Sequence, residues 1–234
     1  MHSVQIPDYN SPVFAGWRDA AAGTWRDYIN HDFVRGLGDG SLPRDAFIAY
    51  LIQDYIFLLH FSRAWAMAVV KAETAKQMRT AAATVNALIN EEIQLHVAIC
   101  AREGISEEQL LTSAEEHENI AYTRYVMDTG LSGDLLDLLA TLAPCVFGYH
   151  EIGLRLKECT ETTPLYREWI DTYSAPDYQG VCDAVGELIE DVAASKLGED
   201  PTSSPRWDSV CQKFTLATQL EVNFWQMGLR LACN

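Results

Sequence analysis

The amino-acid sequence predicts an all-α fold, a single-domain bundle of long packed helices. Apolar residues recur at helical spacing through most of the 234 residues, and no convincing segment shows the alternation of a strand. Hydrophobic residues make up 48% of the sequence, which at this length is enough to bury a large core. No linker rich in proline, glycine and serine divides the chain. We therefore expect one domain over residues 1–234, with residues 1–10 as a polar N-terminal tail.

Serine and proline mark the start of the first long helices. Ser11 and Pro12 form a favourable N-cap and first-turn pair for a helix over residues 11–30. Pro43 opens another helix over residues 42–72, which is largely apolar and rich in aromatic residues. At 1.5 Å per residue this helix would span roughly 45 Å, so it can form one side of the core.

Glycine and proline also delimit the other helices, because glycine favours helix ends and proline favours helix starts. Gly104 ends one predicted helix, and Pro164 and Pro176 each open another. The other predicted helices lie over residues 31–37, 74–103, 106 onward, 115–127, 131–159, 164–173, 176–197 and 207–231, with a loop over residues 198–205.

A proline interrupts the most apolar helix of the chain. The run from Leu131 to Leu156 shows no strand-like alternation, so it predicts one buried helix. Pro144 has no N–H for the carbonyl of Ala140 and should kink the helix there. Cys145 follows the kink, and Tyr149 stands four residues later, so thiol and phenol are predicted to point to the same side. The alternative is a small apolar cysteine in a core helix.

Two carboxylates stand where helices are otherwise apolar. The helical neighbours of Asp54, three and four positions away, are mostly apolar or aromatic. Glu221 lies among Leu220, Phe224 and Trp225 in the last helix. A buried carboxylate is costly unless it is paired or functional, so both residues are candidates for a site. The alternative for each is a position on the solvent face of its helix.

Composition excludes several classes of function. The chain has 17 basic and 33 acidic residues, a formal net charge of −16, and such a surface repels phosphate backbones. The six scattered cysteines form no Cys-x-x-Cys pair, which is typical of free thiols in a reducing compartment. The N-terminus lacks a signal-peptide pattern, and no uncharged apolar run of about 18 residues is present. We expect a cytoplasmic protein that binds neither nucleic acid nor membranes.

Several stretches together resemble the TenA/thiaminase II family, in family order and almost from end to end. They are DFVRGLGDGSLP at 32–43, LIQD at 51–54, LAPC at 142–145, YHEIG at 149–153, YREWIDTY at 166–173 and EVNFW at 221–225. The resemblance implies a haem-oxygenase-like helical fold, usually assembled as a homotetramer, and a hydrolase of thiamin salvage that needs no metal or cofactor. Such enzymes deaminate 4-amino-5-aminomethyl-2-methylpyrimidine to the hydroxymethyl pyrimidine and cleave thiamin more slowly.

The resemblance also implies roles for individual residues. Cys145 matches the nucleophile that adds to the pyrimidine ring, and Glu221 matches the acid/base that helps the amine leave and then activates water. Asp54 matches the carboxylate that hydrogen-bonds a ring nitrogen and the exocyclic amine. The aromatic positions that bind or flank the pyrimidine are matched by Tyr122, Tyr149, Tyr173 and Phe224.

One pocket position departs from the family pattern. Three residues after the aspartate the family usually has a tyrosine, thought to make the cysteine more nucleophilic, and this chain has Phe57. A phenylalanine cannot hydrogen-bond a thiol. His60 lies three residues further on the same face and is the substitute that the sequence offers, whereas Tyr55 lies off that face.

The sequence is also compatible with functions of a different kind. Glu92 and His96 have a metal-compatible spacing, and His150 and Glu151 could add ligands to a di-iron site. A typical di-iron bundle instead has a Glu-x-x-His pair on each of two helices. A cofactor-free oxidase, a regulator, a hydrolase of a different pyrimidine and a pyrimidine-binding protein that has lost catalysis are each compatible with the sequence as well.

Overall fold

Helices account for the regular structure of the chain, as predicted. The computed structural model describes residues 7–159 and 161–233, and within them it has twelve α-helices and no strand. The helices are α1 (Pro12–Ala20), α2 (Ala22–Ile29), α3 (Asp32–Asp39), α4 (Arg44–Lys71), α5 (Ala75–Ala87), α6 (Ile93–Arg102), α7 (Glu107–Thr112), α8 (His117–Ser132), α9 (Leu135–Leu156), α10 (Pro164–Tyr173), α11 (Pro176–Leu197) and α12 (Trp207–Leu231). A π-helical turn over Leu88–Glu92 joins α5 to α6, and a 3-10 turn covers Pro201–Ser203.

Local sequence explains most helix starts. Ser11 caps α1 by accepting a hydrogen bond from the backbone N–H of Phe14, and Pro12 follows as the first residue of the helix. The side chain of Asp134 caps α9 in a capping box with Asp137. Helix α9 therefore begins at Leu135, four residues after the predicted start.

Two of the predicted long helices are divided in the structure. The helix expected over residues 11–30 breaks at Ala21 into α1 and α2. This bend lets Trp17 on α1 and Trp25 on α2 both pack against Phe214 of α12, with ring centroids 6.0 and 5.7 Å away. The helix expected over residues 74–103 contains the π-helical turn, in which the N–H of Ile93 bonds to the carbonyl of Leu88 five residues earlier.

The end of the predicted N-terminal tail belongs to the core. Tyr9 is 1% exposed, and its hydroxyl lies 2.9 Å from Nδ1 of His150. Its ring stacks on Phe147 with centroids 4.8 Å apart. The polar-tail prediction is therefore wrong at Tyr9, because an aromatic ring fills a gap between α9 and α11. Residues 1–6 of the predicted tail lie outside the described residues.

Helix α9 is the central helix of the fold. It packs against α8, α10, α11 and α12. It has the length and hydropathy of a membrane span, yet every residue of its most apolar 18-residue window is buried inside the protein, as in the core helix of a globular domain. The buried faces of α4, α9 and α12 meet around this core and carry most of the predicted site residues.

Candidate active site

The predicted site residues lie on the inner faces of five helices. Asp54 and Phe57 come from α4, Tyr122 from α8, Cys145 and Tyr149 from α9, Tyr173 from α10, and Glu221 and Phe224 from α12. All eight are at most 3% exposed. Neither Asp54 nor Glu221 therefore lies on a solvent face. Hydrogen bonds and ring contacts divide these residues into three groups, and of the eight it is Cys145 that lines the cavity described next.

The cavity has a volume of about 270 Å³ and lies between α4, the π-helical turn, α9 and α11. Cys145 forms part of its wall, together with Glu92 at the end of the π-helical turn. The other lining residues are Phe61, Thr84, Ala87, Leu88, Glu91, Val146, Thr172, Ala175, Asp177, Tyr178 and Val181. A flat heteroaromatic ring fits a space of this size and apolar character.

Asp54 is the centre of the first group. Its Oδ2 accepts a hydrogen bond from the Tyr50 hydroxyl at 2.8 Å and lies 2.7 Å from Nε2 of His96. The Tyr50 oxygen also accepts from Nε1 of Trp169 at 3.2 Å and lies 3.4 Å from the Tyr149 hydroxyl. Tyr149 therefore belongs to the surroundings of Asp54, whereas Cys145, four residues earlier, faces the cavity.

His96 sets the charge around Asp54. Its Nδ1 lies 2.8 Å from the backbone carbonyl of Glu92, and a carbonyl can only accept, so Nδ1 carries a proton. Burial lowers the pKa of His96, but the hydrogen bond and charge of Asp54, with further help from Glu92, outweigh burial and raise it above its ordinary value. The raised pKa favours the imidazolium form of His96, in which both ring nitrogens donate and Nε2 donates to Oδ2 of Asp54.

Glu221 and Tyr122 form the second group. The Tyr122 hydroxyl donates to Oε1 of Glu221 at 2.9 Å. Burial raises the pKa of Glu221 well above its ordinary value, the charge of Asp54 adds to this, and hydrogen bonds from Tyr122 and Tyr28 only partly oppose it. The raised pKa favours the protonated carboxylic acid, which is the form that can donate a proton.

Cys145 is an un-ionised thiol in the free protein. Burial raises its pKa well above the ordinary value, and the negative charges of Glu221 and Glu92 raise it further. No lysine or arginine occurs among the described residues that line the cavity, so no cation there favours the thiolate. The sulfur becomes a strong nucleophile only when its proton moves to an acceptor during the reaction.

The third group joins α10 to the π-helical turn. The Tyr173 hydroxyl donates to Oε1 of Glu92 at 2.6 Å. Burial raises the pKa of Glu92 to about 7, although the bond from Tyr173 and the charge of His96 oppose this shift. The rings of Tyr173 and Tyr149 lie 4.9 Å apart between centroids, which links this group to the surroundings of Asp54.

Phe57 packs within an aromatic wall. Its ring centroid lies 5.2 Å from Phe61, 5.0 Å from Tyr122 and 5.5 Å from Phe224. Phe57 thus connects the cavity wall, which includes Phe61, to the Glu221 group. Its position agrees with a role in shaping the site and leaves no hydroxyl at this point of the wall.

His60 does not replace the missing tyrosine. Its Nδ1 lies 3.4 Å from Nη1 of Arg63, and its Nε2 lies 3.4 Å from Nη1 of Arg124 and 3.6 Å from Oε1 of Glu115. These partners stand at the protein surface, so the sequence-based suggestion that His60 activates Cys145 is wrong. The side chain takes part in a surface ion cluster instead.

The residues considered as metal ligands have other partners. His150 contacts the Tyr9 hydroxyl, and Glu151 accepts hydrogen bonds from Nε1 of Trp25 at 3.0 Å and from Arg155 at 2.7 Å. Neither joins Glu92 and His96. Within residues 7–159 and 161–233, no group of three or more His, Cys, Asp or Glu side chains is arranged to hold a metal ion.

Sequence reasoning named both members of the Tyr122–Glu221 pair but missed Tyr50, His96 and Tyr178 as site residues. Tyr50 and His96 bind Asp54, and Tyr178 lines the cavity beside Glu92. The four-residue spacing of Glu92 and His96 was a usable signal, but it indicated a metal pair, because no local pattern shows that His96 meets a carboxylate 42 residues away in sequence.

The chain is similar to proteins of known sequence over most of its length. It is 40% identical over 210 residues to an uncharacterised protein of Haemophilus influenzae, covering 89% of this chain and 94% of that protein. It is 32% identical over 206 residues to the aminopyrimidine aminohydrolase of Halalkalibacterium halodurans, covering 87% and 89% respectively.

Solved structures show the same fold. A crystal structure described as a TenA family transcription regulator from Silicibacter sp. TM1040 matches with a TM-score of 0.91 and 57% identity, covering 94% of this chain and 97% of that one. A Shewanella denitrificans domain described as having a heme oxygenase-like fold matches with a TM-score of 0.70, covering 93% and 92% at 15% identity. The haem-oxygenase-like fold prediction is therefore confirmed. The TENA/THI-4/PQQC family model matches residues 18–231, and this chain belongs to that family.

Proposed function

We propose that this protein is a hydrolase of thiamin salvage that deaminates 4-amino-5-aminomethyl-2-methylpyrimidine to 4-amino-5-hydroxymethyl-2-methylpyrimidine, with thiamin cleavage as a slower activity. One observation carries the proposal. The cysteine that follows the proline inside α9 lines a cavity of about 270 Å³, and the Asp54–His96 and Glu221–Tyr122 pairs are buried in the same core. The relative named aminopyrimidine aminohydrolase supports the same reaction class.

The chemistry assigns a step to each group. As the sulfur of Cys145 forms a bond to a carbon of the pyrimidine ring, the thiol proton moves to the adjacent ring nitrogen, from which it returns to sulfur when that bond breaks again. The electron pair released in the ring expels the amine from the exocyclic methylene. Glu221 donates its proton to the departing nitrogen and then, as a carboxylate, takes a proton from the water that attacks the methylene. Reversal of the sulfur addition restores the ring, so one water is consumed and one ammonia is released.

Asp54 and the aromatic residues are assigned to binding. A carboxylate accepts from the exocyclic amine of an aminopyrimidine and from a protonated ring nitrogen. Nε2 of His96, 2.7 Å from Oδ2 of Asp54, and the Tyr50 hydroxyl fix the direction of this buried carboxyl group. The rings of Tyr122, Tyr149, Tyr173 and Phe224 supply walls for a flat ring.

We also propose a cellular compartment and an oligomeric state for the enzyme. All six cysteines, each within the described residues, are free thiols, which supports a reducing compartment such as the cytoplasm. A homotetramer is proposed on the family resemblance. A regulatory role that depends on direct DNA binding is disfavoured, because the formal net charge of −16 opposes contact with phosphate backbones.

The test is product analysis after incubation with the aminomethyl pyrimidine, thiamin and a formylated aminomethyl pyrimidine. We expect release of the hydroxymethyl pyrimidine, fastest from the aminomethyl compound. Cys145→Ser and Glu221→Gln should each abolish turnover while leaving the helical circular dichroism unchanged. Cys100→Ser, which places the same hydroxyl at another buried cysteine, should retain turnover. Turnover like that of the wild type in Cys145→Ser would remove the thiol from the mechanism.

A further inference from the structure

The cavity wall opposite the cysteine is formed by an irregular helical turn. Leu88, Glu91 and Glu92, all within the π-helical turn, line the same cavity as Cys145. A π-helical turn carries one extra residue, which changes the direction of the side chains around it and often marks functional sites. Here the turn places Glu92 in the wall while His96, four residues later, points to Asp54.

One carboxylate oxygen of Glu92 accepts a hydrogen bond from within the protein. Oε1 accepts the Tyr173 hydroxyl at 2.6 Å, which fixes the direction of the carboxyl group. The residue is only partly buried, because it borders the cavity. Its pKa of about 7 means that a large fraction of the molecules carry a carboxylate here near neutral pH. Full burial raises the pKa of Glu221 well above its ordinary value, so the environments of the two carboxyl groups differ.

The charged side chains that line the cavity are all acidic. Glu91, Glu92 and Asp177 line it, and its described lining residues include neither lysine nor arginine. A low-dielectric cavity of negative potential favours ligands that carry positive charge. The substrates of the proposed reaction differ in this respect at their leaving group. An aminomethyl nitrogen is protonated near neutral pH and the thiazolium of thiamin is a permanent cation, whereas a formylated amine is neutral.

We infer that Glu92 is the specificity-determining residue for the leaving group, and that its carboxylate pairs with a cationic leaving group beside the Cys145 sulfur. This inference rests on the proposed function and names the substrate class of the same site. Asp54 and its partners bind the pyrimidine edge, and Glu92 distinguishes an ammonium or thiazolium from a neutral amide. Tyr173 orients the carboxylate and is a positioning residue.

The experiment compares Glu92→Gln with the wild type on three substrates. The amide keeps the size of the side chain and an oxygen that accepts the Tyr173 hydroxyl, but it has no charge. We expect kcat/KM to fall about 10- to 100-fold for the aminomethyl pyrimidine and for thiamin, the range for losing a hydrogen bond to a charged group. For the formylated substrate it should change less than about threefold. Equal losses on all three substrates would overturn the inference and indicate a general role in proton transfer.

Binding gives a readout that does not depend on turnover. In a Cys145→Ser background, thiamin affinity should increase as the pH rises from 6 to 8, because Glu92 becomes ionised over this range. The same background with Glu92→Gln should show a flat profile, and Glu108→Gln, which removes an exposed carboxylate outside the cavity lining, should keep the slope. A flat profile in the Cys145→Ser protein overturns the inference. Absence of turnover on all three substrates in the wild type would instead reject the proposed function.

Discussion

Each buried carboxyl group of the site is held by a tyrosine. Asp54 accepts from Tyr50, Glu92 from Tyr173, and Glu221 from Tyr122, at 2.8, 2.6 and 2.9 Å. A phenol supplies a strong hydrogen bond without adding a charge, so it orients a carboxyl group and leaves its ionisation to other neighbours. Of these three carboxyl groups only Asp54 also contacts a histidine, Nε2 of His96 at 2.7 Å, and this contact distinguishes its surroundings from those of Glu221.

The first prediction concerns Asp54→Asn. The amide removes the charge that faces both the substrate and His96, so affinity for the hydroxymethyl pyrimidine should fall by about 1.5–3 kcal/mol. Because His96 loses the carboxylate that accepts from its Nε2, unfolding free energy should fall as well, by about 1–3 kcal/mol. Calorimetric titration and urea unfolding measure the two effects. Asp45→Asn, at an exposed aspartate of the same helix, should change neither, and unaltered product affinity in Asp54→Asn would contradict the assigned role.

The second prediction concerns Phe57→Tyr. Burial and nearby carboxylates raise the pKa of the Cys145 thiol, so alkylation of the wild type should climb far into the alkaline range. A phenol that donates to the thiolate would lower this pKa, shift the alkylation profile to lower pH and increase turnover near neutrality. The added oxygen enters a packed aromatic wall, where overpacking costs about 1–3 kcal/mol.

The measurement for Phe57→Tyr is the pH dependence of Cys145 alkylation, followed by peptide mass, together with turnover in both proteins. Urea unfolding reports any cost of overpacking separately. If both proteins alkylate Cys145 with the same profile, a phenol at this position does not activate the thiol, and an ordered water becomes the better candidate.

At the scale of helices, the sequence predicts helix boundaries best where a particular residue, such as proline, marks the start. Helices α10 and α11 begin at Pro164 and Pro176 as predicted, because proline fits the first turn and its missing N–H has no helical partner there. The break at Ala21 and the π-helical turn have no such marker. They follow from packing against α12 and around the cavity, and tertiary contacts of that kind leave no periodic trace in sequence.

The third prediction compares two glycines of α11. A Cβ added at Gly186 would lie 2.1 Å from the backbone oxygen of Tyr9, whereas one at Gly180 meets nothing within 4 Å. Gly180→Ala should therefore stabilise the protein by about 0.5–1 kcal/mol through helix propensity. Gly186→Ala should destabilise it by about 1–3 kcal/mol, because Tyr9 must move from its place against Phe147. Urea unfolding of both variants checks this, and a gain in stability from Gly186→Ala would show that Tyr9 does not need this close approach.

At the scale of the whole molecule, the fold concentrates acidic groups in an already acidic protein. Asp54 of α4 pairs with His96 of α6, and this contact between residues far apart in sequence gives one of the buried carboxyl groups a partner. The presence of a site near Asp54, Cys145 and Glu221 could be predicted from sequence, because polar residues in apolar helices are rare. The charge state of that site could not, because it depends on burial and on partners far away in sequence.

The last prediction uses this burial as a stability measurement. The pKa of Glu92 rises from an ordinary 4.5 to about 7 on folding, so the folded state holds a proton more tightly than the unfolded chain. The contribution of this carboxyl group to the free energy of unfolding is therefore fully present below pH 4.5 and is lost as the pH rises towards 7.

The variant that tests this is Glu92→Gln, because glutamine does not titrate. The unfolding free energy of Glu92→Gln minus that of the wild type should increase over this window by at most about 3.5 kcal/mol, since one pKa unit is about 1.4 kcal/mol. Urea unfolding between pH 4 and 8 measures the difference, and Glu91→Gln, at an exposed carboxyl of the same turn, is the control. A difference that stays constant across this range would mean that Glu92 is as well solvated in the folded protein as in the unfolded chain.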